Sequence, residues 1–236
     1  MTITCIWEHN GDDTLLYAGN VVGAFARGAS LEEAMGKMPG EVTAYGAWAG
    51  KVFSLPIDVV IVQEKQSTLC IRDADSDVLF DSERGPLSRE AYEALKQLAL
   101  KSAADFMALY EAFSEKNQSV LPPRSTFYGP VPRTAEDMYR HTKNVNAYYW
   151  GEIGVGADNE GTILECRRKG FALLEKSEDY LSNRVFDGSY GEQWTLAKVL
   201  RRFIWHDRIH AKAMYRMGQK TFGGGRIPDV FRFGER

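Results

Sequence analysis

Val199-Leu200-Arg201-Arg202-Phe203-Ile204-Trp205-His206-Asp207-Arg208-Ile209-His210-Ala211-Lys212-Ala213-Met214-Tyr215-Arg216-Met217 is the stretch that decides the fold. Within it Val199, Phe203, His206, His210, Ala213 and Met217 recur at steps of 4, 3, 4, 3 and 4, the spacing of one helical face. Such a stripe predicts a long helix with this face in a core. Two histidines occupy consecutive positions in it, and side chains at i and i+4 lie one above the other. Both imidazoles are therefore expected to point inward together.

A third histidine has the same setting upstream. Met138, His141, Val145 and Tyr148 step by 3, 4 and 3, so His141 is expected in a core-facing slot of another helix. Burying three imidazoles is costly unless their nitrogens are satisfied. One divalent metal satisfies all three and leaves a position for water or substrate, as in catalytic zinc sites. The metal ligands read from the sequence are His141, His206 and His210. Zinc is the first choice, with nickel and iron also suited to imidazole. His206-Asp207-Arg208-Ile209-His210 differs from the zincin motif, which has Glu where Asp207 stands and takes a later third ligand; no histidine follows His210.

Working outward, helical periodicity begins at Ser88 after Gly85-Pro86-Leu87. Tyr92, Leu95, Ala99, Phe106, Leu109 and Phe113 form its apolar face, with Ser102 in the one polar slot. Capping boxes at Thr134-Ala135-Glu136-Asp137 and Thr162-Ile163-Leu164-Glu165 open two more helices. The last starts near Trp194 or Thr195 and is expected to stop at Gly218. Residues 87–236 thus read as an all-α four-helix bundle with an extended tail. Its long proline-rich connection, Asn117 to Arg133, is expected to pack along the bundle or shape a site entrance.

Residues 1–86 read as a small α+β accessory domain. Strands are expected at Thr2–Trp7, Thr14–Ala18, Ile57–Val62, Thr68–Arg72 and Val78–Phe80, the last three as an antiparallel meander. Ser30-Leu31-Glu32-Glu33 opens a helix that Pro39-Gly40 is expected to interrupt. Asp73-Ala74-Asp75-Ser76-Asp77 starts like a calcium loop, but Val78 stands where that loop needs Gly and Arg84 where it needs Glu. A solvated turn is the better reading.

The totals exclude several classes. Of 236 residues, 44% are hydrophobic and 26% charged, as in a globular protein, and the net charge of −3 gives no reason to expect nucleic acid or an anionic membrane. Three scattered cysteines make no disulfide framework. The opening residues reach charge too early for a signal peptide, so a cytoplasmic location is expected.

Thr134-Ala135-Glu136-Asp137-Met138-Tyr139-Arg140-His141 and Trp205-His206-Asp207-Arg208-Ile209-His210-Ala211, with the first and second histidines about 65 residues apart, resemble the pattern of the DinB-like superfamily. That group includes YfiT-like metal-dependent hydrolases and thiol-dependent transferases. The resemblance covers residues 87–218. It implies up-down-down-up connectivity, zinc or nickel at the triad, often a dimer, and a low-molecular-weight thiol as co-substrate. Tyr17-Ala18-Gly19 and the Ser30-Leu31-Glu32-Glu33-Ala34 helix faintly resemble HicB-type antitoxin domains, with no toxin partner implied.

Two functions follow as expectations. The first is a metal-dependent enzyme acting on a small molecule, hydrolase or thiol S-transferase, using a metal-activated water or thiol. The alternative is a non-catalytic metal-binding module for sensing or interaction. Tyr139, Tyr148, Tyr149, Trp150 and Trp205 are candidates to line a pocket, though each also suits a core. Arg140 and Glu136 fit a solvated face, Cys166 a core position, and Asp207 a neighbour-orienting role about 100° from the ligands.

Overall fold

Strands come first because the opening residues alternate. In β1 (Thr2–Asn10) Ile3 and Cys5 face one way, and Ile6 and Glu8 the other. β2 (Asp13–Ala18) and β3 (Phe25–Gly28) follow antiparallel, and β4 (Asp58–Gln66) closes the sheet in the order β3-β2-β1-β4. The computed structural model describes residues 1–73, 75–126 and 129–234.

β4 runs parallel to β1, so the sheet is mixed. A parallel neighbour requires a crossover, and α1 (Leu31–Ala49) supplies it. The expected meander therefore does not form. Residues 71–73 make a 3-10 turn and Val78–Phe80 an irregular segment, both packed on the sheet rather than paired within it. α1 is capped by Ser30, whose hydroxyl accepts from the Glu33 amide, and it runs unbroken through Pro39. One lost backbone bond costs about 3 kcal/mol. Ala34, Met38, Val42 and Tyr45 are all fully buried on both sides of the proline, and that continuous apolar face holds the helix together.

Four further helices follow: α2 (Arg89–Glu111), α3 (Ala135–Gly151), α4 (Ile163–Leu174) and α5 (Leu196–Phe222). Ser88, Thr134, Thr162 and Thr195 each cap the helix that follows, and at Thr162 the box with Glu165 is complete. The expectation of an all-α four-helix bundle over residues 87–236 is nevertheless wrong. Two-stranded ribbons lie between the helices: β5 (Ser125–Thr126) with β6 (Gly129–Pro130), and β7 (Phe186–Asp187) with β8 (Gln193–Trp194). The chain as a whole is α+β.

The physical reason lies in α5. From Leu196 to Arg208 every residue is buried, including Lys198, Arg201, Arg202 and Arg208. A bundle helix keeps one polar face in water; this one turns that face onto the first half of the chain. Arg201 pairs with Glu83 and Arg208 with Glu41, while Lys198 and Arg202 donate to the carbonyls of Asp77 and Ser76. Trp205 packs with Ile6, Leu15, Tyr17 and Phe25 on the sheet face opposite α1. A single hydrophobic cluster includes Ile3, Met38, Phe106, Trp150, Phe203 and Phe231.

α5 also continues past Gly218 to a cap at Gly223. Gly218 is needed for close packing: a Cβ there would lie 2.8 Å from both Phe113 and Ile227. Ile227 and Phe231 of the following tail are buried.

Candidate metal centre

α3 and α5 are in contact, and their facing surfaces carry His141, His206 and His210. The ring centroids lie 5.2 Å apart for His141–His206, 4.6 Å for His141–His210 and 4.4 Å for His206–His210. One nitrogen from each ring falls within 4.8 Å of the others. Tetrahedral zinc with ~2.05 Å bonds sets nitrogens about 3.3 Å apart, so side-chain adjustments that shorten the separations by up to about 1.5 Å close the set.

The three differ in depth. His206 is buried, His210 half-buried and His141 exposed. The buried face of α3 is Met138, Thr142, Asn146 and Tyr149, so His141 sits beside that face and not within it, and Tyr148 is exposed. Ala213, expected in the core, is exposed as well. The stripe on α5 leaves the core at His210 and returns to it at Met217. The triad therefore spans the boundary between core and surface.

Electrostatics keep the rings neutral. Burial pulls His210 down to about 3, with the neighbouring His141 adding to the effect. His206 is held well below the ordinary histidine value by burial, then by His210, His141, Arg202 and Arg167. Partial enclosure of its ring by neighbouring groups also lowers His141. Neutral imidazole is the ligating form. His206 Nδ1 is buried with no hydrogen-bond partner, a cost of ~1–3 kcal/mol that a bound ion can offset by satisfying the ring. The donor set and the orphaned nitrogen fit a divalent metal.

Asp207 turns away from the rings, as expected for the next residue on a helix. Its carboxylate accepts from both ends of the Arg167 guanidinium, at 3.2 and 3.3 Å, and from Ser102 at 2.5 Å. Arg167 also lies 3.6 Å over the Phe203 ring. These contacts join α2, α4 and α5 and fix the rotation of α5 about its axis. That rotation is what aims His206 and His210.

Of the aromatic candidates, Tyr149 and Trp205 come closest, with ring centroids 5.9 and 6.4 Å from His206. Trp150 packs against Phe171 and Phe203 in the core, and Tyr139 stacks on Tyr110 while accepting from the Ile163 amide. Glu136 accepts from Tyr110 and Arg140 pairs with Asp137, away from the rings. Cys166 is buried.

Arg202 escaped the sequence reading. It lies one turn before His206, buried, with its guanidinium carbon 5.5 Å from the Tyr149 ring and 5.0 Å from Trp205. A signal was present: Lys198, Arg202, Trp205, Ile209 and Lys212 step by 4, 3, 4 and 3, a second stripe on the same helix.

The stretch read as a solvated turn is tied to its own chain instead, with Ser76 buried. Asp73 pairs with Arg124, and Ser76 donates to Glu8 at 2.5 Å; Ala74 lies outside the described residues. No described helix is long and apolar enough to cross a membrane. No protein-family model, curated protein or solved structure matches the chain.

Proposed function

We propose that the chain is a metal-dependent enzyme of the DinB-like kind, a hydrolase or thiol S-transferase acting on a small molecule. His141, His206 and His210 would hold the ion, zinc first, with nickel or iron also suited to the three nitrogens. One observation carries the reading: three neutral imidazoles converge from two helices at the edge of the core, with their nitrogens within 4.8 Å. A purely structural site is commonly closed by four protein ligands; among the described residues the cluster has three.

When bound, the ion lowers the pKa of a coordinated water or thiol to near neutrality. The chain's residues do the rest. The Asp207–Arg167 pair holds the ligand helix in rotation. Tyr149 and Trp205 border His206 and limit water on that side. The buried Arg202 cation favours negative charge developing near the rings. His141, the exposed member, marks the side from which substrate enters.

The test is zinc-loaded protein given electrophilic substrates and simple esters or amides, with and without a panel of low-molecular-weight thiols. Metal-dependent turnover that disappears in His206→Ala supports the enzyme. Full zinc occupancy without turnover of any substrate in the panel contradicts it.

A further inference from the structure

β4 ends the sheet, so one of its two backbone edges has no strand beside it. Burial alternates along all nine residues, with Val60 and Val62 exposed at 46% and 57%. The segment leading into it carries Val52 and Leu55, exposed at 100% and 75%. That segment is held at the head of β1 by the N-terminal amine, which donates to the Ser54 and Pro56 carbonyls. A long edge with exposed apolar side chains is a template for another strand, and folded proteins cover such an edge or blunt it.

Bulges and charges are the usual blunting devices, and here both point to one partner. Cys5 pairs with Ile61 and Ile6 with Gln63, leaving Val62 as an extra residue with no partner in β1. The extra residue shifts the alternation of side chains. Asp58 and Val60 pair with Thr2 and Thr4, and Gln63 and Lys65 with Ile6 and Glu8, so these four β4 residues share the face opposite α1. Without the bulge, Asp58 and Lys65 would lie on opposite faces. An antiparallel copy related by a two-fold axis between Ile61 and Val62 sets Asp58 opposite Lys65 and Val60 opposite Gln63, each pair on one face. The symmetry repeats the acid–base pair at both ends of the seam. Opposite charges directly across a strand pair stabilise it, and any other register loses this one. Lys65 is 44% exposed and lies 3.9 Å from Asp77, at the limit of an ion pair, so its ammonium is accessible to a second copy.

We propose that the free edge of β4 pairs antiparallel with the same edge of a second copy of this chain, joining the two four-stranded sheets into one. Nine residues at ~3.3 Å each make a seam about 30 Å long, covering roughly 400 Å² per partner. That is about half of a standard interface, so the dimer is weak and forms in about the micromolar range. It does not depend on the metal centre.

The experiment is sedimentation velocity of the full chain from about 1 to 200 µM, with amide hydrogen exchange at both ends of that range. The wild type should pass from monomer to dimer, and β4 amides facing away from β1 should gain protection at the higher concentration. Val60→Lys and Val62→Lys, both at exposed positions, should keep the melting temperature and weaken the dimer at least about tenfold. Asp58→Lys should weaken it about tenfold, and Asp58→Lys/Lys65→Asp should restore it to within about threefold, because the swapped charges meet again. A wild type that stays monomeric across the range overturns the proposal. A dimer that leaves β4 exchange unchanged uses another surface and overturns it too. A charge swap no better than Asp58→Lys overturns the register, and the proposal with it.

Discussion

Arg167 of α4 and Asp207 of α5 face each other with both side chains wholly enclosed, the guanidinium donating to both carboxylate oxygens. Burial by itself raises Asp207, while Arg167 and Ser102 act to lower it. Removing one partner leaves a buried charge uncompensated, which costs about 3–5 kcal/mol. Asp207→Ala should lower stability by roughly that amount in urea unfolding. The double variant Arg167→Met/Asp207→Leu should recover most of the loss, because both charges go together. Equal instability of single and double variants would contradict this account.

The glycine of α5 gives a second prediction. Gly218→Ala places a methyl 2.8 Å from Phe113 and Ile227, and should cost about 1–3 kcal/mol by overpacking. Gly36 of α1 has open space around it, so Gly36→Ala should be neutral or stabilising by up to about 1 kcal/mol. Thermal melting of the two variants side by side checks the contrast.

A third prediction concerns alkaline pH. Burial lowers Lys198 to about 8, despite Glu192 beside it. The folded pKa lies below the unfolded value near 10.5, so between these limits the unfolded chain binds more protons and this residue's contribution to stability rises with pH. The stability of the wild type relative to Lys198→Met should therefore improve by about 1–2 kcal/mol between pH 8 and 9.5. Urea midpoints of both proteins at the two pH values measure it, and a difference that stays constant or moves the other way refutes it.

A fourth prediction follows from Trp205, which seats α5 on the sheet beside Tyr17 and Phe25 at 5.8 and 6.2 Å between ring centroids. Trp205→Ala should cost about 3–5 kcal/mol. Because α5, which Trp205 seats on the sheet, also packs against α2, amide exchange should speed up in β1 and in α2 together. Loosening confined to the sheet would contradict this coupling.

The caps, the four later helices and the histidine pair were legible because each is encoded locally: a hydroxyl before an apolar run, or imidazoles four residues apart. What failed was non-local. Nothing within Asp58–Gln66 says that it will run parallel to β1, and the continuity of α1 across Pro39 depends on the sheet beneath it. The bundle assignment left the cations of α5 out of account, and Arg201 and Arg208 meet Glu83 and Glu41 from the first half of the chain. His141 was placed one step too deep, because Thr142 and Asn146 are buried polar residues that a count of apolar positions passes over.

Metal analysis tests the central claim most directly. Protein purified without added metal, stripped and then titrated with zinc, should bind one equivalent at pH 7, and His141→Ala, His206→Ala and His210→Ala should each weaken that binding by about 100-fold or more while remaining folded by circular dichroism. Absence of a stoichiometric site in the wild type, or uptake that is unchanged when His206 is removed, would contradict the assignment of these three rings as one metal site.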